Sequence, residues 1–249
     1  MILPESSSGT SQQPAPAQPE VKPAPPTPIA IQKQELGKPG WDPAWDDVIE
    51  RAIPQEFLTS RKVAKDVKPF CEHYFNMSEG DKRAFWAYFF QALAGAEAGL
   101  EPNISARHPQ PEVSIVDPVT KRTARTEGLL QLAYMDSDRY GCDFDWQRDK
   151  HLAVKNPDKT ILQPRNNLLC GIRILDHQLI TQNKPLLSHT SYWSTLQPGT
   201  VSYKVFRKQM SNVPEACRVA HPDFDEAQSA VGDPDALHMP PPAAFRSTQ

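Results

Sequence analysis

Apolar residues at helical spacing dominate residues 84–100, AFWAYFFQALAGAEAGL, where the only formal charge is Glu97. At about 100° per residue, one narrow stripe of a helix collects Trp86, Phe90, Leu93 and Glu97. The pattern therefore predicts a buried helix that carries a carboxylate in the middle of its aromatic face.

Capping residues set the expected bounds of this helix. Ser78, followed by Asp81 three residues later, is typical of a helix N-cap. Gly99 and Pro102 are typical of the C-terminal end. Burial among aromatic rings would disfavour the ionised form of Glu97 and raise its pKa, as a general acid at neutral pH requires. The alternative is a glutamate that reaches water where the helix ends.

Shorter periodic segments predict further helices after Trp41 and at residues 59–74, 166–180 and 188–196. Residues 113–125, VSIVDPVTKRTAR, alternate between apolar and polar and turn at Asp117-Pro118, which predicts a small β-hairpin. Residues 128–135, GLLQLAYM, follow as a buried segment. The expected fold class is mainly α (α+β), a helical domain with one small β-hairpin.

The two ends of the chain differ in composition from the middle. Residues 1–40 include QQPAPAQPEVKPAPPTP, a Pro-, Ala- and Gln-rich segment with little to bury, so we expect an extended tether. Such a tether suits attachment to the cell envelope, although a leader without function has the same composition. We expect one compact domain over residues 41–221 and a loosely ordered tail over residues 222–249.

Charge and hydropathy exclude two classes of partner. The 249 residues carry a formal net charge of −3 with no basic run, so electrostatic binding to nucleic acid is not expected. Gln91 and Glu97 interrupt the longest apolar stretch, so no membrane span is expected. The N-terminal MILPESSSGT lacks the features of a signal peptide, which leaves a cytosolic protein or one whose export signal has been removed.

The chain has four cysteines, and none of them forms a C-x-x-C pair. An even count at wide spacing favours two disulfides in an oxidising compartment, for which three pairings are open. We favour the pairing Cys142–Cys170 with Cys71–Cys217. Closing a loop of this kind with a disulfide stabilises the folded chain by about 3–4 kcal/mol. Four reduced, buried thiols are the alternative, and a zinc site that uses Cys71 with His73 has poor ligand spacing.

The order of four motifs resembles that of a known family. The motifs are EAGLEPN at residues 97–103, GLLQL at 128–132, NLLCG at 167–171 and YW at 192–193. Over residues 80–200 this order is similar to that in the lysozyme-like fold of lytic transglycosylases and goose-type lysozymes. The signatures of that family are E-S, G-L-M-Q, N-[IL]-x-x-G and Y-N, in the same order.

The resemblance implies which residues act. The acid of the family falls on Glu97, and the tyrosine near the acid falls on Tyr192. The sugar-contacting run falls on Gly128, Leu129, Leu130 and Gln131. The alternatives are a core amide satisfied by backbone groups at Gln131 and a core aromatic ring at Tyr192.

Two positions depart from the family pattern. Ala98 replaces the serine that follows the acid, which removes a hydroxyl. Trp193 replaces the asparagine that follows the tyrosine, which removes a polar group near the cleft. Neither residue is the proton donor. The departures leave an inactive glycan-binding homologue of the cell envelope as an alternative to an enzyme.

Three more carboxylates are candidates for a second acidic group. Glu127 stands immediately before Gly128, and Asp136 and Asp138 lie where goose-type enzymes carry a second acid. A carboxylate there would activate water in a hydrolytic enzyme, or attract the ammonium of a deacetylated glucosamine unit. The alternatives are a solvated hairpin charge at Glu127 and helix caps at the two aspartates.

The resemblance implies cleavage of peptidoglycan glycan strands at the β-1,4 bond between N-acetylmuramic acid and N-acetylglucosamine. Glu97 would be the general acid and base, and we expect a lytic transglycosylase, with a hydrolytic lysozyme as the alternative. The resemblance implies no metal and no diffusible cofactor. The expected partner is the glycan strand, bound by a monomer. Together with the cysteines, this implies a periplasmic or secreted protein.

Overall fold

The structure, a computed structural model, describes residues 40–107 and 115–218. The predicted tail at residues 222–249 and, apart from Gly40, the predicted tether lie outside the described residues. Within the described residues the chain is mainly helical, with one two-stranded antiparallel sheet. The predicted fold class is therefore confirmed.

The longest helix in the described part of the chain, α4, spans Glu79–Ala98. The Ser78 hydroxyl oxygen accepts the backbone N–H of Asp81 at 3.1 Å, and Gly99 ends the helix with a left-handed φ of +60°. Both predicted ends are confirmed. The side chains on its apolar face are fully buried, namely Phe85, Trp86, Phe89, Phe90 and Leu93.

Helices from both ends of the described chain pack on α4. The N-terminal ones are α1 (Pro43–Ala52), α2 (Gln55–Thr59) and α3 (Arg61–Val67). Of these, α1 and α2 contact α4 directly, and so does the late helix α8 (Val201–Gln209). Phe206 of α8 meets Phe89 of α4 edge to face, with 5.3 Å between ring centroids. The aromatic face of α4 is thus the centre of the core.

Two of the predicted helices are wrong. The helix predicted at residues 59–74 ends at Val67, because Pro69 has no backbone N–H with which to continue the helical hydrogen bonding. The helix predicted at residues 188–196 is reduced to one 3₁₀ turn at Ser194–Leu196. Serine hydroxyls in this segment bond nearby backbone groups, which competes with helix formation.

The predicted hairpin turn is present, but its strands lie further out along the chain. Strand β1 (Ser105–Arg107) pairs antiparallel with β2 (Arg125–Glu127). An isolated bridge joins Val116 to Thr123 closer to the turn. At the turn, the carboxylate of Asp117 accepts two backbone N–H groups at 2.8 and 3.1 Å. This bonding is the usual stabilisation of a turn by aspartate.

Residues 128–135 are buried, as predicted, and lead into two short helices, α5 (Asp136–Tyr140) and α6 (Trp146–Asp149). The predicted core helix is confirmed as α7 (Pro164–Asp176), which continues into a π-helical turn at His177–Thr181. Since α7 packs against α1 and α5, it joins the N-terminal helices to the segment that follows the hairpin.

Two disulfides join the cysteines in the favoured pairing, Cys71–Cys217 and Cys142–Cys170. This pairing excludes both the reduced thiols and the zinc site considered above. Disulfides of this kind are typical of proteins from oxidising compartments. None of the helices in the described part of the chain has the length and hydropathy needed to span a bilayer.

We expect the long-range disulfide to contribute more to stability than the local one. The two bonds join residues 146 and 28 positions apart, so in the chain-entropy model Cys71→Ser/Cys217→Ser loses about 5 kcal/mol and Cys142→Ser/Cys170→Ser about 3–4 kcal/mol. Urea unfolding of both double variants measures the order. An equal or reversed order, or reactive thiols in the denatured wild-type protein, would contradict this account.

Candidate active site

Glu97 lies in the last turn of α4, partly buried at the edge of the core. Its Oε1 atom accepts a hydrogen bond from the hydroxyl of Thr195. Burial raises the pKa of the Glu97 carboxyl, while the hydrogen bond from Thr195 opposes that rise. The direction is the one expected from the aromatic stripe, and it is the direction that a general acid requires.

Thr195 belongs to a short segment that connects three parts of the site. The indole N–H of Trp193 donates to the backbone carbonyl of Leu130 at 2.8 Å, and the hydroxyl of Tyr192 donates to Asp136 at 2.6 Å. Trp193 therefore fixes this segment to the buried residues 128–135. The sequence did not single out Thr195; its closeness to the Tyr192-Trp193 motif is the signal that could have found it.

Asp136 has no exposed surface, and Asp138 of the same helix is exposed. One Asp136 oxygen, Oδ2, accepts the Tyr192 hydroxyl and the backbone N–H of Ala133. Burial raises the pKa of Asp136, and burial together with the neighbouring Asp136 charge raises that of Tyr192. Among the described residues, none of the hydrogen bonds joins either aspartate to Glu97.

A buried amide, that of Asn167, bonds three backbone groups at the loop that begins at Gly128. Asn167 donates from Nδ2 to the carbonyls of Glu127 and Ile161 at 3.1 and 3.0 Å, and its Oδ1 accepts the N–H of Leu130 at 2.8 Å. Gly128 has a φ of +80°, and a Cβ there would collide with the Asn167 amide. Glycine is therefore required at this position by both conformation and space.

The remaining residues of the predicted sugar-contacting run face the interior. Leu129 and Leu130 have no exposed surface, so neither their side chains nor their backbone groups reach the solvent. The Gln131 side chain donates to the carbonyl of Gly128 at 2.8 Å and accepts from the Thr126 hydroxyl at 2.9 Å. Its amide is thus occupied by protein groups within the same turn.

Glu127 is not a solvated hairpin charge. It is 3% exposed and forms an ion pair with Lys159, which is 4% exposed. The ammonium of Lys159 also lies 5.4 Å from the centroid of the Tyr134 ring. Glu127 could attract the ammonium of a substrate only if its carboxylate were free. The ammonium of Lys159 already occupies that carboxylate. No motif in the sequence pointed to Lys159.

Comparison with known proteins finds a structural likeness only. No protein-family model and no curated protein matches the chain. Among solved structures, wild-type DslA (Bd0314), form 2, has a TM-score of 0.50 and 22% identity, over 70% of this chain and 91% of that chain. Two glutamate-to-glutamine variants of DslA each have a TM-score of 0.51. The first has 21% identity over 68% of this chain and 89% of its own chain. The second has 22% identity over 70% of this chain and 91% of its own chain. This likeness concerns the fold.

We expect Lys159→Met to be strongly destabilising, by about 3–5 kcal/mol, because it leaves the buried carboxylate of Glu127 without its partner. Replacing both partners, in Glu127→Gln/Lys159→Met, should recover most of that loss. The matched control is Arg51→Met at the exposed pair with Asp47, which should cost at most about 1 kcal/mol. Urea unfolding that gives the two single variants equal cost would contradict the buried pair.

We expect Glu97→Gln to stabilise the fold at neutral pH. A raised pKa means that the folded chain binds the Glu97 proton more tightly than the unfolded chain, so stability falls as pH rises from the ordinary glutamate pKa to the folded value. Because glutamine does not ionise, the variant does not undergo this loss of stability. Urea unfolding across pH should show a gain that grows over this window, while exposed Glu101→Gln serves as control. No gain at high pH would contradict the raised pKa.

Proposed function

We propose that this protein cleaves the β-1,4 bond between N-acetylmuramic acid and N-acetylglucosamine in peptidoglycan, as a lytic transglycosylase. The observation that carries the proposal is the carboxyl of Glu97, whose pKa burial raises and whose position Thr195 fixes at the end of α4. A mainly helical fold with one small hairpin and the order of the four motifs support the same assignment.

The first step is proton donation by Glu97 to the glycosidic oxygen. The bond between the anomeric carbon and that oxygen breaks as positive charge develops on the sugar ring. Thr195 donates to Oε1, and none of the hydrogen bonds among the described residues uses Oε2. We therefore assign the transferred proton to Oε2. Once ionised, the carboxylate keeps its bond to Thr195, which stabilises the charged form.

The second step returns the proton to Glu97. The 6-hydroxyl of the muramic acid unit attacks the anomeric carbon, its proton passes to the carboxylate, and an anhydro product leaves. This route needs one carboxylate, whereas hydrolysis by the inverting route needs a second one to activate water. Glu127 is paired with Lys159, Asp136 is bonded to Tyr192, and Asp138 is exposed. These positions favour the anhydro-forming route.

We also propose a periplasmic or secreted location, with glycan strands as the partner and a monomer as the active form. The two disulfides support this location, because such bonds persist where the environment is oxidising. Peptidoglycan is the glycan that an enzyme with this carboxyl would meet in such a compartment. The Pro-rich residues 1–40 would act there as a tether to the envelope.

We expect Glu97→Gln to lower wall lysis by about a hundredfold or more, because it removes the transferable proton and keeps the shape of the side chain. Loss of turbidity of purified sacculi measures lysis, and mass spectrometry of the products distinguishes anhydro ends from reducing ends. The matched control is Glu101→Gln, which changes an exposed glutamate four residues further on. This variant should lyse sacculi at the wild-type rate.

Three results would contradict the proposal in different ways. Normal lysis by Glu97→Gln would show that Glu97 is not the general acid. Reducing ends in place of anhydro ends would make the protein a hydrolytic lysozyme. Binding of sacculi without any lysis by the wild-type protein would make it a glycan-binding protein of the envelope.

A further inference from the structure

A recess beside the hairpin is separate from the Glu97 carboxyl. Its floor contains the buried Glu127–Lys159 pair, Tyr134 and Asp149, and the described residues that line it do not include Glu97. Trp146 and Leu152 supply apolar wall. The recess therefore combines aromatic, apolar and charged groups around one space, as small-ligand sites do.

The rim of the recess carries three positive charges, those of Arg122, Arg125 and Lys150. The guanidinium of Arg122 lies 5.1 Å from the Trp146 ring centroid, Arg125 bonds the Ser105 hydroxyl at 2.9 Å, and Lys150 bonds a glutamine side chain. Within the described residues, none of the three cations forms a salt bridge. The rim is thus suited to bind an anion from solution.

The acids of the recess are bonded to other protein groups, and among the described residues none of them forms a salt bridge with a rim cation. Asp117 accepts three backbone N–H groups, and Glu127 is paired with Lys159. Asp149 accepts the Tyr134 hydroxyl at 2.9 Å on Oδ2, but its buried Oδ1 has no hydrogen-bond partner among the described residues. Because this oxygen is buried, a ligand in the recess does not reach it.

We infer that the recess binds the peptide stem of the glycan strand, through the stem's carboxylates. The inference rests on the proposed function. A neutral sugar offers hydroxyl groups but no charge for Arg122 and Lys150, whereas an acidic peptide offers an anion. The Leu152 and Trp146 walls suit the aliphatic parts of such a peptide.

The recess is connected to the candidate catalytic carboxyl through short contacts. Glu127 lines the recess and lies three residues before Leu130, whose carbonyl accepts the indole N–H of Trp193. Two residues after Trp193, Thr195 bonds Glu97. Leu130, Trp193 and Thr195 thus join the recess to Glu97, and the inference assigns the recess to a stem on the strand that is bound at Glu97.

The test measures dissociation constants of glycan fragments of equal length. One carries peptide stems, and in the other an amidase has removed the stems and the freed lactyl carboxylates have been converted to methyl amides, so that it is neutral. The protein is the full chain carrying Glu97→Gln, so that the fragments stay intact. Adding Arg122→Ala/Lys150→Ala should weaken binding of the stem-bearing fragment about tenfold and leave the stem-free fragment unchanged. The matched control is Arg148→Ala/Lys155→Ala, two exposed cations close in sequence that do not line the recess.

Equal weakening of the two fragments, or equal weakening by the control pair, would overturn the inference. The first result would show that the recess does not distinguish stems, and the second that any nearby positive charge has the same effect. Wild-type protein that cleaves glycan while its rim variant binds both fragments normally would overturn the inference and leave the proposed function intact. Wild-type protein that neither binds nor cleaves any fragment would overturn both.

Discussion

Burial of the aromatic face of α4 is the constraint on which the rest of the structure depends. Phe85, Trp86 and Phe89 are fully buried, and each contributes about 1.5–3 kcal/mol when taken out of water. The indole N–H of Trp86 donates to the Tyr74 hydroxyl at 2.8 Å, so the polar atoms of this core are also satisfied. The same helix carries Glu97 in its last turn, and the core therefore fixes the position of the acid.

Polar groups hold the site together where the aromatic core ends. Asn167 uses both ends of its amide to fix the loop at Gly128, and Trp193 bonds the carbonyl of Leu130 in the same loop. Each of these bonds is buried, so leaving one partner unsatisfied costs more than the bond itself contributes. Glu97 is therefore held by a hydroxyl on a segment that is itself fixed to the loop.

Local chemistry predicted the elements that depend on neighbours in sequence. Ser78 and Gly99 gave both ends of α4, and Asp117 gave the hairpin turn. Polar contacts between distant residues were beyond such patterns: the Lys159 partner of Glu127 is 32 positions away, and Thr195 is 98 positions from Glu97. The helix α8 was also not predicted, because its apolar positions are few and its buried contact is made through one phenylalanine.

The nested order of the disulfides has a consequence for how the protein matures. A chain leaves the ribosome N-terminus first, so Cys71 waits 146 positions for Cys217, and both Cys142 and Cys170 appear before its partner does. An oxidant that acts on the emerging chain would join Cys71 to one of these two. The yield of correctly paired protein therefore depends on thiol–disulfide exchange, which can undo that first bond, and not on oxidation alone.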